Sequence, residues 1–180
     1  CTPNGIIHKK LARLSFEELG DAFHVFLLGQ TYFPIHMALK MNIELIFYGE
    51  NGEVEYAGDP HKADNPFKDL VDDKDWFKGY LKGTTLNNLI KFSIDKKDYI
   101  DESLLNNSDL LFYTAPDIKD MIKKNIRKTY YFNYYHKWNP QENYYYCSEN
   151  TGFKPNTERT EGTYSKYSSL DDKMDGFHYY

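Results

Sequence analysis

The first clear pattern along the chain is a helical spacing of apolar residues near its N-terminus. The apolar positions recur every three to five residues and share one helix face: Ile7, Leu11, Leu14 and Leu19. Asn4 precedes this run and Gly20 follows it, and these residue types cap helices at their N- and C-terminal ends. The pattern therefore predicts a first helix that ends at about Leu19.

A second helix is predicted over Pro34–Met41, because proline is favoured at the first position of a helix. The preceding segment, Asp21–Thr31, is apolar with interspersed polar residues, and its pattern fits a helix or a strand. The run Ile43–Tyr48 then predicts a short buried strand of an α/β sheet. A helix followed by a parallel strand is half of a βαβ unit, whose partner strands we expect before Cys1.

Glycines and polar side chains follow the predicted strand directly. Gly49 and Gly52 interrupt the apolar run, and the polar residues around them are Glu50, Asn51, Glu53 and Glu55. Ligands of open α/β sheets bind in the crevice outside the carboxyl ends of the strands, so these groups are candidates for a binding site. The alternative is a solvated hairpin loop, which glycine and asparagine also favour.

Further elements are predicted beyond a turn-rich acidic stretch, 59–75. Two helices are expected, at Thr85–Phe92 and, after Pro116, at Ile118–Ile126, and the aromatics of Thr129–Trp138 favour a strand. His61 and Asp64 are potential metal ligands, although an isolated pair of this kind in a loop is usually not one.

Composition narrows the classes of function. The net charge of −5 disfavours a nucleic-acid partner, which would require a basic face. No apolar run approaches the length of a membrane span, and no signal peptide is evident, so we expect a cytoplasmic protein without a membrane partner. The 17 tyrosines suit a pocket for sugar or nucleotide rings, and equally the edges of an ordinary core. Cys1 and Cys147 are expected to be passive thiols.

The last third of the chain is the densest in candidate chemistry. A proline turn brings together Lys137, Trp138 and Gln141, and a later polar segment contains Arg159, Glu161 and Ser165. An arginine fork grips phosphate or carboxylate groups. Asp171 and Asp172 are candidates for magnesium ligands or for a helix cap.

Four long segments together resemble the N-acetyl sugar amidotransferase family of bacterial surface-polysaccharide biosynthesis, which serves pseudaminic- and legionaminic-type sugar pathways. The segments extend from His24 to Tyr180 and contain more than half of the chain: His24–Asp69, DWFKGYLKGTT, KWNPQENYYY and Glu149–Tyr180. The resemblance implies an α/β fold of the PP-loop ATP pyrophosphatase type. It also implies a reaction in which ATP adenylates an acetamido oxygen and ammonia from a partner glutaminase displaces AMP, leaving an acetamidino group.

The resemblance also implies cofactors, partners and boundaries. ATP and Mg²⁺ are expected, with a nucleotide-linked or free N-acetyl sugar as substrate. Residues 1–58 would be the C-terminal part of a PP-loop parallel-sheet domain, and residues 59–180 an aromatic-rich α+β substrate region truncated at Tyr180. The family's Ser-Gly-Gly-Lys-Asp-Ser loop and its cysteine cluster, a zinc site, are not in this sequence. We therefore expect an internal fragment of a longer enzyme that is inactive alone.

The candidate residues are assigned on these grounds. We expect catalytic roles for Glu50, Asn51 and Arg159, and Asp171 and Asp172 are candidates for metal ligands. Nucleotide or sugar contacts are expected from a larger set: Gly49, Glu53, Glu55, Gln30, Lys137, Trp138, Gln141, Glu161 and Ser165.

Three other classes of function remain open. A tRNA thiolase of the PP-loop type would require a basic surface. A non-catalytic carbohydrate-binding module would use the aromatic residues for stacking, but such modules are mostly β-sandwiches, and the helical patterns disfavour one. A glycosidase would require a carboxylate pair at catalytic separation, which no spacing in the sequence fixes.

Overall fold

The computed structural model describes residues 3–49, 51, 60–62, 64–73, 84–95, 107–137, 139–160 and 164–167. It divides the chain into two compact units, Cys1–Tyr135 and His136–Tyr180. Helices and a mixed sheet occur together, which confirms the broad α/β class. The boundary expected after Gly58 was implied by the family resemblance, and it stays a prediction.

Helix α1 covers Gly5–Leu19 and confirms the first helix. The Asn4 side chain accepts hydrogen bonds from the backbone N–H groups of Ile6 and Ile7, which have no partner within the helix. At the other end Gly20 has a φ of 70°, a left-handed conformation in which a side chain is strained, and its N–H donates to the Phe16 carbonyl.

Helix α2 covers His24–Met41, so the ambiguous segment before Pro34 is helical. The prediction that the second helix begins at Pro34 is wrong, because this proline lies inside the helix. Proline fits the first turn of a helix best, but the apolar residues on both sides of it give α2 a continuous buried face that outweighs the lost hydrogen bond. The members of that face are Val25, Leu28, Tyr32, Ile35 and Ala38.

The remaining elements of the first unit are short. Strands β1, β2 and β3 cover Phe47–Tyr48, Phe67–Asp69 and Lys128–Tyr131. The helices are α3 (Leu86–Asp95), α4 (Asn107–Leu110), α5 (Ile118–Lys123) and α6 (Phe132–Tyr135), and 3₁₀ turns cover Pro60–Lys62 and Leu111–Tyr113. The helices predicted near Thr85 and after Pro116 are therefore present. The strand predicted over Thr129–Trp138 is present only in its first residues, since the chain turns into α6 at Phe132.

The three described strands form one sheet in the order β1–β3–β2. Strand β1 runs parallel to β3, with Phe47 opposite Tyr130. Strand β2 runs antiparallel to β3, with Phe67 also opposite Tyr130 on the other side. The helix-then-strand order of α2 and β1 is as expected, but the described parallel partner of β1 is β3, which follows it in the chain, and not a strand before Cys1.

The prediction of a buried strand over Ile43–Tyr48 is wrong in extent and in burial. Only Phe47 and Tyr48 form strand, and the side chains of Ile43, Leu45 and Phe47 are 44%, 58% and 48% exposed. Ile46 packs partly against the core. An apolar run predicts burial only if the protein covers both faces of the strand, and here one face lies at the surface.

The core of the first unit lies between the helices. Helix α1 contacts α2 and α3, and α2 contacts the 3₁₀ turn at Leu111–Tyr113. The fully buried side chains come from α1, α2, α3, α5 and the loop before β3: Leu11, Leu14, Leu28, Ile35, Leu89, Met121 and Ile126. The sheet therefore flanks a mainly helical core.

The second unit contains helix α7, Pro140–Asn150. The segment interpreted as a proline turn is the start of this helix, with Asn139 as its cap and Pro140 at its first position. Within the described residues, no helix of either unit is long and apolar enough to cross a membrane.

Candidate functional site

The end of strand β1 gathers three of the residues predicted to form a site. Gly49 follows the strand and is exposed, and Asn51 is buried, with 2% of its surface accessible. Gln30 belongs to this region because its carbonyl oxygen lies 3.2 Å from the hydroxyl of Tyr48, the last residue of β1. Its side chain faces solvent. Glu50, Glu53 and Glu55 lie outside the described residues.

The contact between Tyr48 and α2 follows from the proline inside that helix. Pro34 has no N–H, so the carbonyl of Gln30, four residues earlier, lacks its normal helical donor. The Tyr48 hydroxyl lies 3.2 Å from this oxygen and 3.1 Å from that of Thr31, and its single proton is shared between them. The end of β1 is thereby held against the middle of α2.

The Tyr48 hydroxyl remains protonated at neutral pH and can act as this donor. Burial, and then the neighbouring Tyr131, raise the pKa of Tyr48 to about 12. Desolvation disfavours the charged phenolate, which is the physical cause of the larger part of the shift. Sequence reasoning missed this residue, although a proline within an apolar helical pattern implies a carbonyl that needs another donor.

A lysine holds the other side of the α2–β1 connection. The Lys124 ammonium lies 2.6 Å from the Leu39 carbonyl and 2.6 Å from the Asn42 side-chain oxygen. Asn42 ends α2 in a left-handed conformation with a φ of 55°. A cation at a helix C-terminus satisfies carbonyls that have no helical donor and interacts favourably with the helix dipole. The loop before β3 is thus tied to the loop before β1.

A partly buried polar pair joins α1 to the 3₁₀ turn. The His8 Nδ1 atom lies 3.0 Å from the Tyr113 hydroxyl, and the Tyr113 ring packs against Gly29 of α2. Burial lowers the pKa of His8, so its ring is neutral near pH 7 and shares one hydrogen bond with the tyrosine hydroxyl. Burial, and then Asp109, raise the pKa of Tyr113. The pair fixes the helical core and lies outside the predicted site residues.

A second candidate site is a depression whose described lining belongs to the C-terminal unit. Gln141 and Ser165, both predicted to contact a nucleotide or a sugar, line one depression of about 530 Å³. The remaining described lining is Tyr144, Pro155, Tyr164, Lys166 and Tyr167. Sequence reasoning missed these tyrosines because nothing in the sequence shows that the segment around Tyr164 folds back onto α7.

Two other candidates of this unit are described by the structure, and neither joins the depression. Lys137 and Arg159 are exposed and do not line the depression. Trp138, Glu161, Asp171 and Asp172 lie outside the described residues, so their assigned roles stay predictions.

The described residues do not by themselves fit the expected cofactors. Among them, no group of three or more His, Cys, Asp and Glu side chains could hold a metal ion, and His61 with Asp64 forms no such group. The end of β1 offers, in its described part, an amide and a glycine rather than the cations that hold a triphosphate.

No protein-family model matches this chain, and a search of the curated proteins finds no match.

Proposed function

We propose that this chain is part of an ATP-dependent N-acetyl sugar amidotransferase. The enzyme would convert an acetamido group of a bacterial surface sugar to an acetamidino group, using ammonia from a partner glutaminase. The chain's own share would be one wall of a strand-end crevice, and the first unit would belong to a PP-loop type of α/β domain.

One observation carries this proposal: the parallel pairing of β1 with β3, with the predicted polar residues directly after β1. Parallel strands end at the same edge of a sheet, and that edge is where open α/β sheets bind ligands. Strand β1 follows α2 directly, as in a βαβ unit, and Asn51 is buried just beyond it. The resemblance of the four sequence segments supplies the reaction class.

The contacts around Tyr48 support a rigid crevice. The hydroxyl holds the strand end to α2, and Lys124 holds the α2–β1 connection to the loop before β3. A site that orients an amide for attack benefits from groups fixed before the substrate binds. Asn51, buried just beyond the strand, would be one of these fixed groups.

The proposal is tested on the protein expressed from its whole reading frame. The assay supplies ATP, Mg²⁺, an N-acetyl sugar with and without a linked nucleotide, and an ammonium salt in place of the glutaminase. We expect AMP formation that requires the sugar. Glu50→Gln, or Asn51→Ala, should abolish it while the thermal midpoint of the Glu50 variant stays unchanged.

Glu149→Gln is the matched control, because Glu149 is an exposed carboxylate on α7 that the sequence analysis assigns to no site. This variant should retain full activity. AMP formation that does not depend on the sugar, or undiminished activity of Glu50→Gln, contradicts the proposal. The 180 residues alone should show no turnover.

A further inference from the structure

The depression in the C-terminal unit has the dimensions of a small-molecule site. Its volume of about 530 Å³ lies within the usual range for such sites. It combines aromatic rings, a proline and a few polar side chains. This mixture of apolar surface with a small number of hydrogen-bonding groups is typical of ligand pockets.

The wall of the depression is held in place by several contacts. The rings of Tyr144 and Tyr167 stack with centroids 4.5 Å apart and planes 9° apart. The Tyr167 hydroxyl donates to the Gln141 side-chain oxygen at 3.0 Å, so the segment that ends at Tyr167 is fixed to α7. A wall fixed in this way loses little conformational freedom when a ligand binds.

Backbone hydrogen bonds also hold residues 164–167 to the segment that contains Asn156 and Thr160. The Asn156 N–H donates to the Lys166 carbonyl at 2.7 Å, and the Thr160 N–H donates to the Ser165 carbonyl at 3.0 Å. The segment that contains Asn156 and Thr160 therefore runs beside residues 164–167, and Tyr164 belongs to the second of these two segments.

Tyr164 is the unusual side chain of this site, because it is 95% exposed although it lines a depression. The stacked pair cannot offer both of its faces, since Tyr144 and Tyr167 cover each other. Tyr164 has both ring faces accessible. An aromatic face in this position can cover the apolar face of a sugar ring.

The polar groups of the depression suit hydrogen bonding to the hydroxyl groups of a sugar ring. The Gln141 oxygen is occupied by Tyr167, which leaves the amide nitrogen to donate, and no partner for that nitrogen occurs among the described residues. Ser165 adds a half-buried hydroxyl. Lys166 is the only cation in the described lining, and one exposed lysine is a weak site for a diphosphate.

We propose that this depression binds a single pyranose ring, which stacks on Tyr164 and accepts a hydrogen bond from Gln141. In the proposed enzyme this ring would be the sugar substrate, and that assignment rests on the proposed function. Binding itself needs no ATP, ammonia or partner.

The experiment measures saturation-transfer NMR on the 180-residue chain with N-acetylglucosamine as the probe and UDP as the competitor. We expect transfer to the sugar ring protons and no displacement by UDP. Tyr164→Ala should weaken binding about tenfold through loss of the stacking surface. Tyr164→Phe should bind like the unmodified chain, because it keeps the ring.

Tyr146→Ala is the matched control, since Tyr146 is also an exposed tyrosine, at 66%, but does not line the depression. It should leave binding unchanged. Absence of transfer, displacement by UDP, or equal loss in the Tyr164 and Tyr146 alanine variants overturns the inference. Sugar binding without sugar-dependent AMP formation would instead leave the site standing and remove the proposed reaction.

Discussion

The Tyr48 hydroxyl can be removed alone by Tyr48→Phe, which retains the ring and deletes one donor. The lost donor serves the carbonyls of Gln30 and Thr31, at 3.2 and 3.1 Å. Because Pro34 has no N–H, the Gln30 carbonyl has no helical donor to replace it. We therefore expect the variant to fold with a lower free energy of unfolding.

The expected loss is about 1–2 kcal/mol, because it combines one hydrogen bond with a carbonyl left partly unsatisfied. For a chain of this size that loss corresponds to a fall in the thermal midpoint of about 2–8 °C. Urea denaturation followed by circular dichroism measures it. Tyr134→Phe is the matched control, because Tyr134 is 54% exposed, and it should change stability by less than about 0.5 kcal/mol.

A double-mutant cycle tests the physical cause. Pro34→Ala restores an N–H that can donate to the Gln30 carbonyl, so Tyr48→Phe should cost less in that background. An equal cost in both backgrounds would refute the explanation that the tyrosine replaces a donor that proline removed.

The pH dependence provides a second check. The folded-state pKa of Tyr48, at about 12, lies above its unfolded value of 10.0, so its contribution to stability is complete below pH 10 and is lost as the pH rises through 12. Tyr32, whose pKa is raised to about 12 by burial and then by Asp73, adds to the same alkaline loss. Since phenylalanine does not titrate, the stability difference between the unmodified chain and Tyr48→Phe should shrink over that window.

Three further stability predictions follow from other contacts. Lys124→Met should lower the free energy of unfolding by about 0.5–1 kcal/mol in urea denaturation, because it removes the contact with the C-terminal end of α2. Lys123→Met, at an exposed neighbouring position, should leave the stability unchanged. Equal effects of the two variants would contradict the role of Lys124. Gly29→Ala should raise the free energy of unfolding by up to about 1 kcal/mol, since a Cβ there meets the Tyr113 ring at 3.4 Å, an ordinary contact. Gly20→Ala should lower the thermal midpoint, because a side chain at a φ of 70° is strained. Burial lowers the pKa of His8, so the histidine's contribution to stability is present above pH 6.5, its ordinary pKa, and is lost as the pH falls below that value. His8→Gln should therefore reduce the stability that the chain loses between about pH 7.5 and 5.5. An unchanged loss in the variant would refute this explanation.

Capping and periodicity made the first helix predictable from sequence. Asn4 and Gly20 act through neighbours one to four residues away, and local chemistry of this kind is readable without a structure. Pro34 misled the prediction for α2 because the cost of an internal proline is offset here by distant groups, the Tyr48 hydroxyl among them. The exposure of Ile43 and Leu45 likewise depends on which surfaces the rest of the protein covers.

The candidate sites were predictable only in part. Strand-end logic identified Gly49 and Asn51, because a change from apolar to polar residues after a strand is visible in sequence. The depression was not predictable, since it depends on Tyr144 meeting Tyr167 across a segment with no regular pattern. Gln141 and Ser165 were selected for their chemistry, and the structure supplies their proximity.

The most direct test of the proposed chemistry follows nitrogen into the sugar. The protein from its whole reading frame is incubated with ATP, Mg²⁺, an N-acetyl sugar and isotopically labelled ammonium, and the sugar is analysed by mass spectrometry. We predict one labelled nitrogen in place of the acetamido oxygen, formed only with ATP and lost in Glu50→Gln. A sugar that stays unlabelled while ATP is consumed, or labelling that persists in Glu50→Gln, would contradict an amidating site at the end of β1.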